Sequence, residues 1–252
     1  MSFSWTEMLA HMGGPALVVA VVLATMGLAS LTVFIERLIT FRRSRRASRL
    51  FAAGVAEDMA AGKIEPVLAE TEKHVRRGHL PRVVKAALST YTHALKTADV
   101  SGLTPVERTQ RHMARYMEDI GADLRRGLNL LSSVGSVAPF VGLLGTVLGI
   151  ISAFQGIATT GSGGLGAVSA GISEALIETA FGLAVAIPSV LAFNYLTSQI
   201  VRDEMGLNNA TGELLDLIED LDERRARRPG IRGEAGNAEV PARESRIHAV
   251  GA

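Results

Sequence analysis

Apolar and polar positions in this chain are segregated into long blocks instead of alternating residue by residue. An uncharged run of 28 residues, Met8 to Ile35, is followed by a charged block and then by 47 uncharged residues from Gly127 to Ser173. A further apolar segment runs from about Ile172 to Leu196. A helix needs roughly 20 apolar residues to cross a hydrocarbon core about 30 Å thick. The first run therefore supplies one span, from about Pro15 to Ile35, and the last segment supplies another. The 47-residue stretch is too long for one span, and TTGSGGLG at 159–166 interrupts it with glycines that favour a turn. The pattern predicts an all-α integral membrane protein with three transmembrane helices and long cytoplasmic helical extensions.

Charge sets the orientation and the segmentation. Residues 36–127 hold 18 basic and 11 acidic side chains, and Arg37, Arg42, Arg43, Arg45, Arg46 and Arg49 follow the first span directly. Basic residues flanking a span mark its cytoplasmic side. The predicted order is a periplasmic segment 1–14, a first transmembrane helix 15–41, a cytoplasmic helical domain 42–127 and a second transmembrane helix 128–157. A periplasmic hairpin 158–171, a third transmembrane helix 172–198, a cytoplasmic helix 199–226 and a disordered tail 227–252 complete it. Because Met1 to Pro15 carries no Lys or Arg, the first apolar run reads as a retained helix and not as a signal peptide.

Within the charged block, apolar residues recur at helical spacing, with breaks at Gly62, Gly78 to Pro81 and Ser101 to Pro105. Thr104, Pro105 and Glu107 have the pattern of a capped helix start. From there the sequence predicts one rod running through Arg126 into the second span. Beyond Leu196, residues Ile200, Leu207, Leu214 and Leu221 recur every seven, with Ala210 and Leu217 between them. This short seam suits a neighbouring helix in the same chain or in a second copy.

Composition removes several function classes. Net charge is +1 from 26 basic and 25 acidic residues, so no global field favours a nucleic-acid partner. The arginines after the first span lie at a membrane face, with only Phe41 and Phe51 among them to stack on bases, which suits topology and anionic lipid better. Cysteine is absent and none of the six histidines lies in the second or third span, which argues against a metalloprotease, an intramembrane serine protease or a metal site. The reading is a non-enzyme without cofactor or metal.

Glu174 and Glu178 are the candidate chemistry. An ionisable side chain inside a membrane helix is costly and usually functional. Their i, i+4 spacing puts both carboxylates on one helical face, an arrangement suited to exchanging a proton. The alternative is that both lie near the outer interface, about one turn from the hairpin, and meet water. Thr146 and Thr179 could order water in a polar pore or bond their own helix backbone. Gly142, Gly145, Gly149 and Gly182 are positions for close helix approach, Gly182 being paired with Ala186, and Pro139 and Pro188 can loosen their helices.

The runs SVAPFVGLLGTVLGIISAF at 136–154 and GISEALIETAFGLAVAIPS at 171–189, with IERL at 35–38 and Asn194 in FNYL, resemble the ExbB/TolQ/MotA proton-channel family. Three spans favour its ExbB/TolQ branch. The resemblance covers roughly 15–200 and implies a subunit of an ion-driven motor in a bacterial inner membrane. It also implies a homo-oligomeric ring, typically a pentamer, around a smaller single-span ExbD/TolR-like partner, with a TonB-like or Tol-like energy transducer as a further candidate partner. Thr146, Glu174 and Thr179 then fall on pore-lining positions. The chain departs from that pattern at Glu178, where the family has a small or uncharged residue. Glu174 is thus the expected pathway carboxylate, with Glu178 as its modifier. A passive membrane scaffold that recruits partners through the charged block is the competing reading.

Overall fold

The computed structural model describes residues 14–97, 102–160 and 165–227. The N-terminal segment, the centre of the glycine-rich turn and the tail expected to be disordered lie outside the described residues. Within them every regular element is a helix: α1 (Gly14–Ala60), α2 (Ile64–His74), α3 (His79–Lys96), α4 (Pro105–Arg125), α5 (Leu128–Thr160) and α6 (Leu165–Ala226). Three of these, α1, α5 and α6, are long and apolar enough to cross a membrane.

α5 and α6 form the most extensive helix pair, an antiparallel hairpin against which α1 packs. α6 begins at Leu165, ahead of Ile172, and continues for 62 residues, about 93 Å at 1.5 Å per residue. It therefore joins the two halves of the molecule. In the apolar half Val19, Leu23, Val134, Ala138, Val185 and Ala186 form a small core. In the charged half a larger one surrounds Phe51, Leu88, Tyr91, Met113, Ile120 and Ile200.

The single rod expected from Pro105 into the second span is not formed. α4 stops at Arg125, and Gly127 takes φ +81°, a conformation open to glycine but strained for other residues. The Val33 side chain of α1 lies 3.0 Å from where a Gly127 Cβ would stand, so α1 packs directly on the break. Gly121, by contrast, stays helical. At the start of α4, Thr104 accepts from the Glu107 N–H while the Glu107 carboxylate accepts from the Thr104 N–H, a complete capping box.

The heptad seam of α6 packs within its own chain, against α3 and α4. Ile200, Leu207 and Leu214 are buried as the spacing predicts, but the next buried position is Ile218, with Leu217 and Leu221 half-buried. Ion pairs reinforce this packing: Arg45 of α1 with Asp203 at 2.8 Å, and Arg125 of α4 with Glu204 at 2.7 Å. Tyr91 of α3 donates to Asp222 at 3.0 Å.

Outward faces in the apolar half are strongly hydrophobic. Leu28, Phe140, Leu176 and Leu191 are each more than 60% exposed. Such surfaces are sustained by lipid or by further protein, not by water. Pro139 and Pro188 sit inside continuous helices.

Candidate functional site

Glycine fixes the spacing of the α5–α6 hairpin. A Cβ on Gly182 would stand 2.7 Å from the Ala138 carbonyl oxygen and 3.0 Å from the Gly142 Cα. One on Gly142 would meet the Glu178 carbonyl at 2.9 Å, and one on Gly149 the Ala175 Cβ at 3.1 Å. Gly135 against Val190 and Gly171 against Ala153 extend the same register to both ends. Backbone thus lies nearly on backbone, as small-residue interfaces in membranes permit. Thr179 uses that proximity and donates across the seam to the Gly142 carbonyl at 3.2 Å.

Gly145 makes room for Glu178. A Cβ there would overlap Glu178 Oε2, so the carboxylate occupies the volume that any larger residue at 145 would fill. Glu178 is 1% exposed, and neither carboxylate oxygen has a hydrogen-bond partner within the described residues. A carboxylate held this way is costly in an apolar setting unless a donor, a cation or a proton reaches it from beyond the hairpin.

Glu174, one turn earlier, is only half-buried. Because α6 starts at Leu165, Glu174 is about 13 Å along the helix, deeper than one turn. The two acids share a face but not an environment: Glu178 points into the seam, and Glu174 keeps access to the surface. Thr146 is half-buried and donates to the Leu143 carbonyl of its own helix at 2.6 Å. No hydrogen bond joins it to Thr179, since Gly142 is the residue facing Thr179.

One polar contact was not anticipated from sequence. Ser30 of α1 and Ser189 of α6 share a buried hydrogen bond at 2.9 Å in the apolar half. Isolated serines in uncharged runs were its only signal. Among the described residues no group of three or more His, Asp or Glu is placed to hold a metal ion.

Residues 67–208, which include this seam, match the model of the MotA/TolQ/ExbB proton channel family. The chain belongs to that family. It is 37% identical over 141 residues to the biopolymer transport protein ExbB of Pseudomonas putida, an alignment covering 56% of the chain and 42% of that relative. It is 30% identical over 191 residues to ExbB of Neisseria meningitidis, covering 73% and 83%. To the Tol-Pal system protein TolQ of Pseudomonas aeruginosa it is 49% identical over 82 residues, covering 32% and 34%. The chain spans less than half the length of the first of these relatives. Family membership and three membrane-capable helices together make this a multi-pass inner-membrane protein.

Proposed function

We propose that the chain is a proton-conducting subunit of an inner-membrane motor that uses the proton motive force to energise a periplasmic or outer-membrane process. The observation that carries this reading is the buried Glu178 carboxylate, unpaired inside a glycine-built seam beside the half-buried Glu174. Glu174 takes up and releases the proton at the accessible surface of α6, and Glu178 modifies its proton affinity from within the seam. Thr179 holds the register of α6 against α5 that keeps Glu178 opposite Gly145, while Thr146 offers a hydroxyl on the adjoining face of α5.

The subunits form a ring, a homopentamer in the family pattern, around an ExbD/TolR-like single-span partner that carries a carboxylate of its own. The exposed apolar faces of α5 and α6 supply the surface for such neighbours. The charged half is cytoplasmic, the hairpin periplasmic, and the N-terminus periplasmic, following the positions of Lys and Arg. A proton crossing about 100 mV releases about 2.3 kcal/mol, so a few protons can move a partner helix between packed states. The driven load is transport, envelope integrity or gliding.

The test is proton uptake into vesicles containing the chain with its small partner. The expected result is partner-dependent flux that is lost in Glu174→Gln and reduced in Thr146→Ala. If both variants keep full flux and full motor output, the channel reading fails and a passive scaffold stands in its place.

A further inference from the structure

Five cationic side chains converge where α1 leaves the apolar zone. Arg43 and Arg46 come from α1, while Lys73, Arg76 and Arg77 come from the end of α2 and the turn after it. They line one cavity of about 750 Å³ that has no carboxylate in its wall. Lys73 pairs with the neighbouring Glu70 at 2.5 Å. Arg43, Arg46, Arg76 and Arg77 make no ion pair among the described residues. The fold does provide an acid for a neighbouring arginine of α1 outside this cavity, since Arg45 pairs with Asp203. The four arginines, gathered without counter-charge, repel one another, and an anion in the cavity relieves that repulsion.

Depth identifies the source of the anion. Leu28, Leu31, Ile35 and Ile39 form the run of outward apolar side chains that leads along α1 to the arginines, and beyond them only Leu50 among the large apolar side chains of α1 is exposed. Arg43 follows Ile39 one turn later, about 6 Å further along the axis. The headgroup layer on each side of a bilayer is about that thick. Helical Cα–Cβ bonds tilt towards the N-terminus. On α1 this leans Arg43 and Arg46 back towards the bilayer surface. Leu50 and Ala47 give the cavity an apolar wall, and it contains no Phe, Tyr or Trp on which a base could stack.

We infer that this cavity binds the headgroup of an anionic phospholipid, with the arginines holding phosphodiester oxygens through paired N–H donors. Its charge and volume favour a headgroup with two phosphates over one. The site would fix the turn between α2 and α3 against the membrane, and so the charged half relative to the spans.

The full chain, purified in a neutral detergent and titrated with cardiolipin, phosphatidylglycerol or phosphatidylcholine, tests this by native mass spectrometry. The triple variant Arg43→Gln, Arg76→Gln, Arg77→Gln should hold cardiolipin roughly a hundredfold more weakly than the unaltered chain. A control triple that removes equal charge elsewhere, Arg49→Gln, Arg111→Gln, Arg115→Gln, should lose less than about threefold. A triple of Arg→Lys at the site positions should fall between them, because lysine keeps the charge without the planar donor pair. All three should keep their helix content, since the altered side chains are exposed. Equal loss in the site and control triples, or no loss in the site triple, overturns the proposal. Displacement of cardiolipin by equimolar inorganic pyrophosphate would assign the site to a soluble phosphate, and tighter binding of a single-stranded RNA would assign it to nucleic acid. Either outcome overturns the lipid assignment.

Discussion

Replacing Gly182 by alanine tests whether backbone contact sets the α5–α6 spacing. The added methyl would stand 2.7 Å from the Ala138 carbonyl oxygen and 3.0 Å from the Gly142 Cα. Non-bonded atoms prefer about 3.5–4.0 Å, so the shortfall is roughly 0.5–1 Å. Both obstacles are backbone, and no rotamer change can relieve them. The helices must part, which also stretches the 3.2 Å bond from Thr179 to Gly142. Overpacking of this kind costs about 1–3 kcal/mol, against about 1 kcal/mol gained from alanine's helix propensity. Gly206→Ala is the matched reference, because nothing lies within 4 Å of its added methyl and it carries the propensity gain alone. Equilibrium unfolding of both variants in the same bicelles should therefore place Gly182→Ala about 1–3 kcal/mol below Gly206→Ala. Equal stability of the two would refute the reasoning and mean that the seam is not held at backbone contact.

Other substitutions probe separate parts of the molecule. Gly145→Ala drives a methyl into Glu178 Oε2 and should destabilise the hairpin by about 1–3 kcal/mol. Adding Glu178→Ala should recover most of that loss in the same bicelle assay, and simple additivity of the two changes would show that they do not share a volume. Thr104→Ala removes the side-chain half of the capping box and should cost about 1 kcal/mol, read as a shift in the chemical-denaturation midpoint. His79 makes stability pH-dependent. Burial, with Arg82 nearby, lowers its pKa below the ordinary histidine value, Asp203 and Asp123 only partly opposing this. The folded state therefore binds a proton less readily than the unfolded chain. Stability is present above the unfolded value near 6.5 and is lost as pH falls below it. The melting temperature should drop from pH 7 to pH 5.5, and His79→Gln should flatten that dependence.

The three spans were legible because about 20 apolar residues in a row seldom occur outside a helix that crosses a bilayer. The capped start of α4 was legible as well, since Thr104 and Glu107 act within four residues of each other. What sequence did not disclose depends on contacts between distant segments. Gly127 reads like any glycine in an apolar run, and only the approach of Val33 from α1 shows why the chain breaks there and not at Gly121. The heptad spacing marked the seam but not its partner, which proved to be α3 and α4 of the same chain. At the candidate site, spacing put Glu174 and Glu178 on one face but could not rank their burial. That ranking comes from Gly145, which lies on another helix and whose missing side chain leaves the space Glu178 occupies. The family resemblance pointed to Glu174, whereas the geometry gives the more enclosed position to Glu178.

In the proposed mechanism the two carboxylates act as one proton-exchanging unit, with Glu178 inside the α5–α6 seam and Glu174 at the accessible surface of α6. Proton flux into vesicles under an imposed potential, compared for the unaltered chain, Glu174→Gln and Glu178→Gln with the same small partner, tests this most directly. Loss of flux in Glu174→Gln, together with a shifted pH profile in Glu178→Gln, is the predicted result. Unchanged rate and pH profile in Glu178→Gln would contradict it.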